Sequence, residues 1–243
     1  MANVLLDFLY FYLPYITALF FIIFSIYRLI SWFRVPMVIK WPLSPTPKTN
    51  RGIAADIVKE LVTFRTIYKT DDVYWLAIFF LHISFFFILL HVVTFIFSSL
   101  LLPDPFLIFR GTIYPLIEDW LTVWTTFLGI IAAIILIFIL LRRILVKEVR
   151  EITLLRDYFE LLLLLIIITL GVYMRIFNVI PIEEALKYFY SLATLNPIKP
   201  PENPIFILHC ILAQLYIIYF PFSRCFHIFG YFVNGWIVRK GIK

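Results

Sequence analysis

The segment FILHCILAQLYIIYFPFSRCFHIFG (residues 206–230) decides the fold, because it is long and apolar enough to cross a membrane and yet contains two histidines, His209 and His227. About 20 helical residues cross a hydrocarbon layer about 30 Å thick. The chain's other two histidines, His82 and His91, lie in a second apolar segment. A polar ring inside lipid is costly unless it has a partner, so all four histidines are candidate functional residues.

The composition indicates an integral membrane protein. Hydrophobic residues make up 63% of the 243 residues, charged residues make up 15%, and the mean hydropathy is +0.99. A soluble domain of this size could not bury so much apolar surface. Because a backbone in lipid must satisfy its own hydrogen bonds, we predict an all-α fold. We expect one domain with five transmembrane helices, at about residues 8–33, 74–101, 117–141, 158–180 and 205–230.

The basic residues predict the orientation of the chain. Seventeen of the 21 Lys and Arg residues fall on the side of the first and third connections and the C-terminal flank, and four fall on the opposite side. The positive-inside rule then places the N-terminus outside and the C-terminus in the cytoplasm. Because the basic residues are dispersed along these edges, the net charge of +6 does not indicate a nucleic-acid partner.

An amphipathic segment at about residues 52–69 is predicted on the cytoplasmic side. Ile53, Ile57, Leu61 and Phe64 share one helical face, while charged residues occupy the remainder. Such a helix suits either the membrane surface or a partner protein, and both alternatives stay open at the level of sequence.

Helix direction orders the four histidines by depth. The second span runs outward and the fifth runs inward, so His82 is level with His227 near the cytoplasm and His91 with His209 near the exterior. Eighteen residues make five helical turns, which puts His209 and His227 on one face. Nine residues make about two and a half turns, so His82 and His91 would share a face only if a local distortion interrupted the helix.

Two pairs of histidines at two depths suit two haems with bis-histidine ligation, which needs only nitrogen ligands and an apolar slot. Zinc is less suitable, because no Asp or Glu accompanies the histidines in the spans. The alternative is a non-redox membrane protein, such as a metal or solute transporter or a scaffold, in which the histidines form hydrogen bonds between helices.

The ending PFSR-x-x-H (residues 221–227) and the eighteen-residue histidine interval resemble the last helix of the respiratory nitrate reductase gamma subunit family. Residues 61–91, LGVYMR (170–175) and SLATLNP (191–197) are similar to related membrane cytochromes of sulfite-reductase-associated and heterodisulfide-reductase-like complexes. In the gamma-subunit pattern the histidines of helix 2 are one residue further apart and a glycine precedes the second, whereas Leu90 precedes His91 here.

This resemblance implies a di-haem four-helix bundle built from helices 2–5. The two haem b groups would be held by His82 with His227 (inner) and by His91 with His209 (outer). It also implies an electron-transfer subunit in a prokaryotic plasma membrane, which takes electrons from menaquinol or a similar quinol near the outer haem. A cytoplasmic iron–sulfur subunit would receive the electrons, and a catalytic subunit would lie on another chain. The chain itself has no CxxC pair for such a cluster.

Other polar residues near the spans are secondary candidates. Arg175 and Arg224 could bind haem propionates by charge-assisted contacts, or could extend to the interface and anchor their helices. Arg110, Glu118 and Asp119 are candidates for a quinol site on the outer side. The two acids would equally suit the N-terminus of the third span, where the helix dipole favours negative charge.

Overall fold

The protein is all-helical over the residues that the structure, a computed structural model, describes: 7–34, 49–101 and 114–240. This confirms the predicted fold class. Within these ranges, five helical segments are long and apolar enough to cross a membrane: Phe8–Arg34, Asp72–Val93, Thr122–Leu145, Leu155–Ile176 and Pro204–Phe222.

The α-helices are numbered in chain order, and a π-helical turn at Phe8–Tyr12 precedes the first of them. They are α1 (Leu13–Arg34), α2 (Asn50–Thr63), α3 (Arg65–Tyr68), α4 (Asp72–Leu101), α5 (Tyr114–Leu145), α6 (Lys147–Glu151), α7 (Leu155–Ile176), α8 (Ile182–Ala193), α9 (Pro204–Tyr219) and α10 (His227–Lys240). They form two compact bodies. The first contains the chain up to Ala18 together with Phe80–Tyr216, and the second contains Leu19–Phe79 and the chain from Ile217 onward.

In the first body, α5 packs along α7. The residues of α5 that this packing buries recur at helical spacing, and they are Leu128, Ala132, Leu136 and Ile139. The backbone of α5 closely approaches a side chain of α7 at Gly129, where a Cβ atom would lie 2.6 Å from Cγ2 of Val172. Small residues at such positions allow membrane helices to pack at short range.

Helix α8 belongs to the first body and follows the fourth span. Its Ala185 and Tyr188 are buried in a cluster with Phe206 of α9. Tyr188 donates a hydrogen bond to the carbonyl oxygen of Tyr10 at 3.1 Å. Burial raises the pKa of Tyr188, with a smaller contribution from Cys210, so its hydroxyl stays protonated and can donate this bond. The cluster thus holds α8 against α9.

In the second body, α2 packs against α10, and Ile53 and Ile57 are buried. Thr49 caps α2 by accepting a hydrogen bond from the Gly52 amide at 3.1 Å. The amphipathic segment predicted at 52–69 comprises α2 and α3, with Phe64 in a left-handed conformation (φ 46°) between them. Part of the apolar face that sequence assigned to a membrane or a partner is therefore covered by the chain's own packing.

The fifth span is interrupted, so the helix predicted for residues 205–230 is not continuous. Helix α9 ends at Tyr219, 3₁₀ turns cover Phe220–Phe222 and Arg224–Phe226, and α10 begins at His227. The physical reason is Pro221, which has no N–H to donate and whose ring clashes with the preceding turn. His209 and His227 therefore lie on different helices, and their eighteen-residue interval does not place them on one face.

The second span is regular. Helix α4 is α-helical from Asp72 to Leu101, a range that includes both His82 and His91. The helix therefore has no local distortion between His82 and His91 that would bring them to one face. At 3.6 residues per turn, a nine-residue interval directs the two side chains to opposite sides of α4.

Candidate functional site

His209 lies against the backbone of α7. A Cβ atom at Gly171 would lie 3.3 Å from Cε1 and 3.9 Å from Nδ1 of the His209 ring. The backbone of Ile167, one turn earlier on α7, also acts on the ring electrostatically. Glycine at position 171 therefore leaves the space in which the imidazole approaches the helix.

The Nδ1 atom of His209 is buried and has no hydrogen-bond partner among the described residues. A buried polar atom of this kind normally has a partner, because losing its hydration without one is costly. In a metal-bound imidazole, the hydrogen bond of one ring nitrogen determines which nitrogen faces the metal. An oriented ring with one unpaired nitrogen therefore fits the axial ligand of a haem iron.

His91 is half-buried on α4, on the same face as the fully buried Ser84, seven residues earlier. The charge of Arg175, in the last turn of α7, acts on the His91 ring. Gly171, which contacts His209, precedes Arg175 by four residues. The two residues are therefore about one turn apart on α7. Both predicted outer histidines thus interact with the C-terminal half of α7, and their pairing as ligands stays a prediction.

The two predicted inner histidines belong to different bodies. His82 is half-buried on α4 in the first body. His227 is exposed at the start of α10 in the second body, and its Nδ1 lies 2.9 Å from the carbonyl oxygen of Arg224. A bond from Nδ1–H to a backbone carbonyl is the usual second contact of a metal-ligating histidine. The pairing of His82 with His227 stays a prediction from sequence.

The described residues contain no cluster of the kind that binds zinc. In the described ranges, no group of three or more His, Cys, Asp or Glu side chains is placed to hold a metal ion. Protein zinc sites use three or four such ligands, whereas a bis-histidine haem takes two from the protein.

The structure describes the side chains of some of the remaining candidate residues and not those of others. Arg224 is exposed, and its carbonyl is the acceptor for His227. Arg110 lies outside the described residues. Glu118 and Asp119 fall in α5, but their side chains are outside the described part of the chain. A quinol site formed by Arg110, Glu118 and Asp119 is therefore still a prediction.

Sequence reasoning missed two buried acids near the N-terminus of α7. Asp157 is 3% exposed and Glu160 is 5% exposed. Asp157 lies 3.8 Å from Nη1 of Arg143 and accepts a hydrogen bond from the Leu154 amide at 3.0 Å. Glu160 lies seven and eleven residues before Ile167 and Gly171, on the face of α7 that contacts His209. The acidic pair at i and i+3 was detectable, but the predicted span began too late, at residue 158, to count both as intramembrane.

These features define a multi-pass helical membrane protein in which the imidazole of His209 packs against a neighbouring span. Comparison with known proteins identifies it further: the chain belongs to the nitrate reductase gamma subunit family, whose model matches residues 62–241. It is also 27% identical, over 264 aligned positions, to the Hdr-like menaquinol oxidoreductase cytochrome b-like subunit of Archaeoglobus fulgidus, and the alignment covers 91% of this chain and 76% of that protein. Both findings confirm the resemblance inferred from sequence.

Proposed function

We propose that this chain is the di-haem b membrane subunit of a quinol-dependent oxidoreductase complex. The observation that carries the proposal is the half-buried His209 ring, which lies against the backbone of α7 and whose buried Nδ1 atom has no hydrogen-bond partner among the described residues. The family match and the cytochrome b-like relative support it independently. When bound, bis-histidine haem supplies reversible one-electron transfer at a potential that the surrounding protein tunes.

His91 and His209 are the proposed ligands of the outer haem. The close approach of the His209 ring to the backbone of α7 at Gly171 restricts the orientation of that ring. The charge of Arg175 acts on His91, which supports a role for its guanidinium in neutralising a propionate by a charge-assisted hydrogen bond. His82 and His227 are proposed for the inner haem on the depth order of the sequence.

The proposed partners follow from the family and from the relative's name. That relative is called a subunit of a menaquinol oxidoreductase, and we propose menaquinol or a similar quinol as the electron donor here. The two cysteines of the chain lie on separate helical elements and do not form a CxxC pair. An iron–sulfur subunit on the cytoplasmic side and a further catalytic subunit would therefore complete the complex as separate chains.

The haem content of the purified protein tests this proposal. We expect haem b at about two per chain in protein from haem-replete cells, measured from the reduced pyridine haemochrome spectrum. His209→Ala should lower this to about one, because one nitrogen ligand of the outer haem is removed. Cys210→Ala is the matched control, because Cys210 follows His209 on α9 but packs in the α8 cluster, and it should keep both haems.

A colourless wild-type preparation would refute the haem assignment and leave the alternative of a non-redox membrane protein. Retention of two haems by His209→Ala would refute the ligand role of His209 specifically.

A further inference from the structure

The interruption after α9 exposes backbone carbonyls that a continuous helix would have bonded. Pro221 has no N–H, and Ser223 is extended (φ −73°, ψ 167°), so the helical ladder cannot continue through this stretch. Both residues are nevertheless buried. Buried carbonyls without a hydrogen-bond donor are costly, because they have lost their hydration. The interruption therefore requires a donor from another element.

Arg28 of α1 supplies that donor within the second body. Its Nη1 donates to the carbonyl oxygen of Pro221 and to that of Ser223, the latter at 3.2 Å. The guanidinium carbon lies 4.9 Å from the ring centroid of Phe226 and 5.3 Å from that of Trp32. A cation in a membrane span is costly unless it is paired. Here the carbonyls and the two aromatic rings satisfy it.

Contacts with α1 also involve the residues that immediately precede His227. The carbonyl of Ser223 is bonded to Arg28, and the next carbonyl, that of Arg224, lies 2.9 Å from Nδ1 of His227. Phe226, which precedes the histidine, is fully buried, and its ring centroid lies 5.4 Å from that of Trp32.

Beyond the histidine, α10 also contacts α1. A Cβ atom at Gly230 would lie 2.9 Å from Cη2 of Trp32. Because contacts from α1 precede and follow His227, the position at which α10 begins depends on Arg28 and Trp32.

We propose that Arg28 is a positioning residue for His227, so that α1 determines the geometry of the haem that His227 binds. This inference rests on the proposed function, because it takes His227 as an iron ligand. Arg28 and Trp32 lie outside residues 62–241, which the family model matches. The assignment therefore concerns a part of the chain that the family comparison does not reach.

Electron paramagnetic resonance of the oxidised protein tests the proposal, with Arg28→Gln as the main variant. The low-spin signal that disappears in His227→Ala is first assigned to the haem bound by His227. In Arg28→Gln we expect that same signal to shift in g-value or to lose at least half its intensity, while the other signal stays unchanged. Arg28→Lys, which keeps the charge but not the planar fork, should restore it only in part.

Arg34→Gln is the matched control, because Arg34 is an exposed arginine at the end of the same helix. It should match the wild-type signals. Amide hydrogen exchange of residues 220–230 supplies a second readout. We expect exchange in Arg28→Gln to be roughly tenfold faster or more, the scale of one lost hydrogen bond to a charged group.

Unchanged EPR signals in Arg28→Gln would overturn the inference. So would faster exchange with an unchanged His227-dependent signal, because Arg28 would then stabilise the backbone without positioning the ligand. These results differ from failure of the proposed function, in which the wild-type protein itself contains no haem.

Discussion

At the scale of single residues, Gly171 controls access to the ring of His209. A Cβ atom at this position would be 3.3 Å from Cε1, so alanine requires a shift of only a few tenths of an ångström. Valine adds two further methyl groups in the same space, and a close-packed interior cannot absorb them without moving the ring. We expect Gly171→Ala to keep both haems and Gly171→Val to lose most of the haem bound by His209, measured as haem per chain.

Thr169→Val provides the control for this prediction, because Thr169 is exposed on the same helix and the exchange preserves side-chain shape. A full haem complement in Gly171→Val would show that His209 does not need its present contact with α7.

At the scale of elements, the class and approximate position of the spans could be predicted, because helix formation in lipid depends on local length and hydropathy. The interruption at Pro221 was not predicted, because a proline within a membrane helix is tolerated as a kink or as a break according to what satisfies its carbonyls. Here that partner is Arg28, which is distant in sequence.

The residues of the candidate site were likewise only partly predictable from the sequence. Sequence singles out the four histidines and orders them by depth from composition and span direction, and their role as ligands stays a prediction. It could not identify Gly171 as the contact of His209, nor the burial of Glu160, because these depend on how α7 packs.

The packing of α5 on α7 has its own test at Gly129. Gly129→Ala should destabilise the protein by about 1–3 kcal/mol, the usual cost of overpacking, because its Cβ would lie 2.6 Å from Cγ2 of Val172. Val172→Ala alone should also destabilise, since it leaves a cavity. The double variant should be more stable than the sum of the single effects predicts, because the clash is then relieved. Thermal unfolding in detergent measures all three, and strictly additive effects would contradict the close approach.

At the scale of the whole molecule, orientation decides which haem is the outer one, and it is testable with two exposed lysines. Lys199 precedes α9, which carries His209, and Lys147 lies in α6 between the third and fourth spans. In a background of Cys210→Ala and Cys225→Ala, we expect Lys199→Cys to react with a membrane-impermeant maleimide on intact cells. The Lys147 side chain is 74% exposed. Lys147→Cys should react only after permeabilisation, because we expect the basic side to face the cytoplasm.

The reverse labelling pattern would show that the chain has the opposite orientation. The inner and outer haems would then exchange names, although the proposed ligand pairs would not change. His209 is five residues after the start of α9 at Pro204, so it lies near whichever side Lys199 faces. If Lys199 faces outside, the haem lost in His209→Ala is the one nearest the external surface. Quinol oxidation beside that haem would then release protons outside while electrons move inward, and the complex would generate a membrane potential.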